Sequence, residues 1–240
     1  SLYGTDAVNG KIAVHSAAQQ GNARYAWKGA MPDVCMCLSH RTRIKVNALL
    51  NEREALAIET TGQATWQLTA PSKCAGVTMQ PQNYKIWVGA ELLGCTRGRQ
   101  KKVLNAVTYR VLNVEDGQVQ LEMAQEFRQE AAKDSADEEE EEESLILSME
   151  ETAALMRPTL CLVYYTAQGR TLRNKNVLLL DVSARYFTLR HFIVGVSRAT
   201  SGDRLSIASV QQQDELMRQE TAVIRANPIR MHFGECDFLQ

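Results

Sequence analysis

The sequence predicts an α/β fold: a parallel sheet flanked by helices, interrupted by a small inserted β-barrel. Three observations point there. Apolar runs at residues 34–38, 160–164 and 177–180 show no alternation, as strands buried on both faces do. Helical patterns at 41–57 and 211–225 lie between or after such runs, the order of a parallel α/β sheet. Between residues 84 and 121 the pattern changes to short alternating segments around the turn Glu115-Asp116-Gly117-Gln118, whose glycine suits a hairpin.

Taken in order, residues 1–32 are polar, rich in Gly, Ala and Gln, and read as an irregular opening segment. Gly4 and Gly10-Lys11 mimic a phosphate loop without being one: five residues separate the glycines, and Ile12 stands where a hydroxyl must reach magnesium. After the strand at 34–38, Ser39 offers an N-cap to the helix at 41–57, where Ile44, Leu49, Leu50 and Leu56 form an apolar face. Arg41, Arg43 and Lys45 crowd its first turns and oppose the helix macrodipole, an arrangement that an anion relieves.

The barrel segments are 85–95, 105–112 and 119–121. Arg97, Arg99, Lys101 and Lys102 share one of its loops and suit a phosphate backbone, a nuclear targeting tract or a solubilising tip. Residues 122–145 read as a helix fading into an acidic linker expected to be disordered. Ser148 and Glu151 form a capping box for a short helix ending near Pro158. Strands follow at 160–164, 177–180 and 205–208, then the terminal helix at 211–225.

The chain has 240 residues, 45% of them apolar, enough for one large or two small cores. Six irregularly spaced cysteines, several inside apolar runs, read as reduced thiols of an intracellular protein, cytoplasmic or nuclear. No stretch approaches 18 consecutive apolar residues, so no membrane partner is expected. Net charge is −1, yet residues 134–143 hold eight acids and no base; without them 27 bases face 20 acids, a net +7. A basic body with a detachable acidic segment suits a nucleic-acid binder, the run serving as a solvated linker or as a mimic that masks the basic face.

Cys35-x-Cys37 beside His40 is short of the four ligands zinc requires, and alternate strand residues face opposite ways, so no metal is expected. Neither a Gly-x-Ser-x-Gly elbow nor a His/Asp/Ser set supports triad hydrolysis. The chemistry-bearing signal is Tyr165-Thr166-Ala167-Gln168-Gly169-Arg170-Thr171-Leu172, followed beyond the 177–180 strand by Val194-Gly195-Val196-Ser197-Arg198-Ala199. The Gln and Thr side chains suit sugar-phosphate contacts independent of base sequence, and Gly169 permits close approach.

This order, with Leu38-Ser39-His40-Arg41-Thr42-Arg43 and Asn47, resembles the second RecA-like lobe of superfamily 1B helicases of the RecD/Pif type. The segment Val88-Gly89-Ala90-Glu91-Leu92-Leu93-Gly94 with 105–114 resembles their inserted Src-homology-type barrel. The resemblance covers about residues 33–210 and implies these domains: motor lobe at 33–83 and 146–240, barrel at 84–121, linker at 122–145.

The resemblance implies that Arg198 is the arginine finger and that Arg41 or Arg43, with Gln168 and Gly169, approaches ATP. It further implies that His40, Tyr165, Gln168, Arg170, Thr171 and the basic loop follow single-stranded DNA. Relatives usually carry a His-Lys pair where this chain has Tyr165-Thr166, which leaves two readings of Tyr165: packing at the strand end, or stacking on a base in place of the missing pair.

The sequence holds no G-x-x-x-x-G-K-[ST] and no acidic pair ending an apolar strand. ATP and Mg2+ are therefore expected to be held mainly by an N-terminal lobe of the same polypeptide, without which this part is inactive. The implied activity is ATP-dependent DNA translocation and unwinding, in replication or repair, by a diverged viral or mobile-element protein. Two alternatives stand beside it: a viral superfamily 1 RNA helicase, and a non-catalytic module that binds nucleic acid or a partner.

Overall fold

The structure, a computed structural model, describes residues 25–72, 75–97, 102–124 and 144–226, with side chains up to Arg218. The described residues divide into two compact units, the first drawn from residues 25–49 and 160–223, the second from residues 50–159.

The first unit is built on a four-stranded parallel sheet. Its strands are β1 (Val34–Cys37), β9 (Cys161–Val163), β10 (Val177–Leu179) and β11 (Leu205–Ile207), in spatial order β11-β10-β1-β9. The inner strands β1 and β10 and the edge strand β9 are buried throughout, which is why their sequences are continuous apolar runs. Helix α1 (His40–Thr60) follows β1; Ser39 caps it, its hydroxyl accepting the Thr42 N–H at 3.0 Å.

Asn47, fully buried on α1, completes the outer edge of β9. Its amide oxygen accepts the Cys161 N–H at 2.6 Å and its Nδ2 donates to the Cys161 carbonyl at 3.2 Å, replacing a neighbouring strand. At the other edge the opening segment is less irregular than expected: Trp27 N–H donates to Ile207 O and Ile207 N–H to Tyr25 O, so residues 25–27 line β11. Residues 1–24 lie outside the described part.

The second unit contains β2 (Trp66–Leu68) paired with β3 (Tyr84–Ile86), and a five-stranded antiparallel sheet in the order β7-β6-β5-β4-β8. These are β4 (Glu91–Gly94), β5 (Thr108–Glu115), β6 (Gln118–Met123), β7 (Leu145–Ser148) and β8 (Met156–Pro158). The expected hairpin turn is present, with Asp116 and Gly117 both at positive φ (50° and 74°), the two-residue turn that matches strand twist.

The expected domain limits shift here. Residues 146–159 read as motor lobe in the sequence, but β7 pairs with β6 and β8 with β4. Leu147, Ala153, Leu155 and Met156 pack in one core with Tyr84, Leu92, Val111 and Leu121. The capping box is as read, Ser148 and Glu151 opening α2 (Met149–Leu155), which bridges the two edge strands. Among the described residues the sheet's edge strands β7 and β8 do not pair with each other, so closure into a Src-homology-type barrel is not seen.

Arg157, wholly buried in β8, donates to the carbonyls of Met79, Gln80, Ala153, Ala154 and Met156, ending α2 with a cation and tying the 79–80 segment to the sheet. On α1, Asn51 clasps the Lys85 backbone as Asn47 clasps Cys161, with bonds of 2.7 and 2.8 Å. The expected linker helix and acidic run, residues 125–143, lie outside the described part.

Candidate functional site

A parallel sheet delivers all its strand ends to one side, and ligands of open α/β sheets bind there. In the first unit that side gathers the turn from β1 into α1, the loop after β9, and Asp181 beyond β10.

At the α1 start, His40 and Arg41 are exposed, whereas Arg43 is 1% exposed. Of the two arginines expected near phosphate, Arg41 is thus the one open to a ligand. No acid occupies the helix's first turn, so cations stand on the positive end of the dipole. Burial, and then the Arg43 charge, lower the His40 pKa.

The Gln-Gly loop is a compact series of turns. Thr166 and Ala167 N–H both donate to Val163 O, Gln168 N–H donates to Tyr165 O, and Gly169 reverses the chain at φ 77°. Ala167 and Tyr164 are anchored inside, with the Tyr164 hydroxyl donating to Leu180 O at 2.9 Å. Tyr165, Gln168, Gly169 and Thr171 are consequently turned outward.

Arg170 departs from expectation. It is buried and its Nε donates to Thr166 O at 3.1 Å, so the guanidinium braces the loop from within rather than facing a phosphate.

Arg198 leaves the end of α3 (Leu189–Val196) half-buried, and it is bonded to the loop. One guanidinium nitrogen donates to the Arg170 carbonyl, Nε donates to Val194 O, and the other terminal nitrogen meets Ser197 Oγ at 3.0 Å. The Leu172 N–H donates to Arg198 O at 3.0 Å and Leu172 bridges Ala199 as a short parallel pair. Helix α3 sits tight on the sheet at Gly195, where a Cβ would lie 2.8 Å from Leu179 Cδ2 and 3.1 Å from Tyr164 Cε1.

Asp181 was not singled out from the sequence. Its Oδ2 accepts the Leu38 N–H at 2.8 Å and its Oδ1 accepts Gln213 Nε2, while its own N–H donates to Gln213 Oε1 at 2.8 Å. It pins the β1 turn to the start of α4 (Val210–Ala226). The signal in the sequence is a lone acid directly after an apolar strand.

Among the described residues no group of three His, Cys, Asp or Glu is placed to hold a metal. Cys37 and Cys161 thiols lie 3.6 Å apart, and burial raises the pKa of Cys161 and of Cys35. Among those residues no helix is long and apolar enough to cross a membrane. Arg97 and Lys102 are exposed in the second unit; Arg99 and Lys101 lie outside the described residues.

No protein-family model matches the sequence, nor does any curated protein. Solved structures do. The chain is similar to Pif1 helicases. A structure of two coordinating Pif1 helicases unwinding forked double-stranded DNA aligns at TM-score 0.49 and 11% identity, over 90% of this chain and 52% of that one. Pif1 from Candida albicans aligns at 0.45 and 11%, over 90% and 57%, and Bacteroides Pif1 bound to single-stranded DNA at 0.43 and 10%, over 91% and 53%. The chain spans about half the length of these structures.

Proposed function

We propose that this chain is the second motor lobe of an ATP-dependent helicase that translocates on single-stranded DNA. The observation that carries the reading is the direct bonding of the Gln168–Thr171 loop to Arg198 at the carboxyl side of a parallel sheet. One element presents polar groups suited to a sugar-phosphate backbone; the other presents a guanidinium suited to a triphosphate. A motor needs those two joined.

ATP supplies the phosphoryl group whose negative charge must be stabilised as it leaves. Arg198 is the group assigned to that charge, with Arg41 at the α1 dipole end as a second cation and the exposed Gln168 and Gly169 assigned to the same nucleotide. Occupying the triphosphate requires Arg198 to exchange its Arg170 carbonyl for phosphate oxygen. That exchange frees the loop's backbone, so the nucleotide state reaches the strand track. Asp181 has both carboxylate oxygens engaged, so magnesium is assigned to an N-terminal lobe rather than to this edge. Thr171 and Gln168 hold the strand, and Arg170 acts by bracing them.

ATP hydrolysis by the full-length polypeptide, measured with and without single-stranded DNA, tests the reading. Arg198→Ala is expected to abolish hydrolysis, a loss on the order of a thousandfold as for other arginine fingers, while leaving strand binding within about twofold. Hydrolysis that survives the substitution overturns the role of Arg198. No hydrolysis by the intact wild type favours a non-catalytic binding module, and unwinding of RNA but not DNA duplexes changes the track.

A further inference from the structure

Tyr165 and Tyr186 are the most exposed large apolar side chains among the described residues, at 79% and 76%. Their chain neighbours behave in the opposite way. Tyr164 and Phe187 are buried and meet edge to face with ring centroids 5.4 Å apart. The contact holds the β9 loop and the segment before α3 together, so the two outward rings rise from adjoining backbone on the ligand-facing side of the sheet. Neither ring is needed by the core, which the inward pair already fills.

The charge around them has one sign. Residues 164–202 contain Arg170, Arg173, Lys175, Arg185, Arg190 and Arg198, against a single acid, Asp181. Asp181 spends its carboxylate on Leu38 and Gln213, and Arg170 and Arg198 are tied to backbone. Arg173, Arg185 and Arg190 remain exposed. The Arg185 guanidinium lies 5.8 Å from the Tyr186 ring centroid, a cation over an aromatic face. Leu189, Ile193 and Val196 add an exposed apolar stripe on α3, but the surrounding cations favour a polyanion over an apolar protein surface.

We infer that Tyr165 and Tyr186 form a two-ring stacking platform for unpaired bases, with Arg185 and Arg190 on the adjoining phosphates. This is a single-strand subsite beyond the Gln168–Thr171 loop, and it rests on the function proposed above. Stacking accepts any base because every base has a π face, and it excludes paired bases, which are already stacked. The platform therefore grips a strand without reading it, and Arg185 arrives with its ring as one preassembled unit.

Fluorescence anisotropy of labelled oligothymidylate with the full-length polypeptide tests the inference. Tyr186→Ala is expected to weaken binding about tenfold, within the roughly 5- to 150-fold that the loss of one stacked base represents. Tyr186→Phe, which keeps the ring, is expected to bind within about twofold of wild type. Arg185→Gln is expected to lower the salt dependence by about one released ion. Tyr186 is exposed, so these variants keep the fold, checked by circular dichroism. If Tyr186→Ala binds as wild type while Gln168→Ala weakens binding, the platform is refuted and the motor reading stands. Equal losses in the Ala and Phe variants refute stacking. Failure of wild type to bind any single strand overturns both.

Discussion

Replacing Asn47 with Leu removes a side-chain amide and keeps the approximate volume. The amide is the partner of the Cys161 N–H (2.6 Å) and the Cys161 carbonyl (3.2 Å) on the outer edge of β9, in a site closed to water. Orphaning two buried backbone groups costs about 1–3 kcal/mol each. The leucine side chain recovers about 1–2 kcal/mol by apolar burial. The net loss is about 3 kcal/mol, which at a urea slope of roughly 2 kcal/mol per molar lowers the midpoint of this unit by about 1.5 M.

The localisation of the damage is the sharper readout. Hydrogen exchange is expected to accelerate in β9 and in the 164–172 loop it feeds, leaving β3 protected; Asn51→Leu, which frees the Lys85 backbone, is expected to do the reverse. A stability change below about 0.5 kcal/mol, the usual scatter of surface substitutions, or faster exchange in β3 from the Asn47 variant, refutes the idea that this amide stands in for a strand.

Gly195→Ala gains helix propensity of about 1 kcal/mol but drives its Cβ into Leu179 and Tyr164, a clash worth roughly 1–3 kcal/mol; thermal unfolding is expected to come earlier and hydrolysis by the full-length protein to fall, since Arg198 lies three residues on. A variant that melts later shows that Leu179 yields. Burial, then the Arg190 charge, lower the His191 pKa, and His191 Nδ1 accepts the Thr188 N–H at 3.1 Å, which only the neutral ring can do. The unfolded chain therefore takes up the proton first, and stability is expected to fall as pH drops through the ordinary histidine value and on to the lowered one. His191→Gln is expected to flatten that part of the profile, leaving the share of His40, whose pKa is lowered as well; denaturation midpoints across pH check it, and an unchanged slope refutes it.

The strands of the parallel sheet were legible because burial on both faces leaves an unbroken apolar record: β1, β9, β10 and β11 fall where 34–38, 160–164, 177–180 and 205–208 read them. Ser39 and the Ser148/Glu151 box were equally plain, since capping chemistry is local. What misled was pairing at a distance. Residues 145–148 and 156–158 look like neighbours of the β9 run, and only their registers with β6 and β4 assign them to the antiparallel sheet.

The same holds at the site. Composition identifies a basic loop but not which arginine turns inward, and Arg43 and Arg170 are buried where their sequence context matched exposed Arg41 and Arg173. Asn47 was noticed for its position in a motif, while its task of finishing an edge strand depends on Cys161, 114 residues away.

The main-chain bond from Leu172 to Arg198 carries a design consequence. Because it joins peptide groups, ordinary side-chain replacement leaves its donor and acceptor in place. Laboratory evolution by side-chain replacement would therefore keep the loop and the end of α3 tied together, unless a proline at position 172 deletes the donor itself.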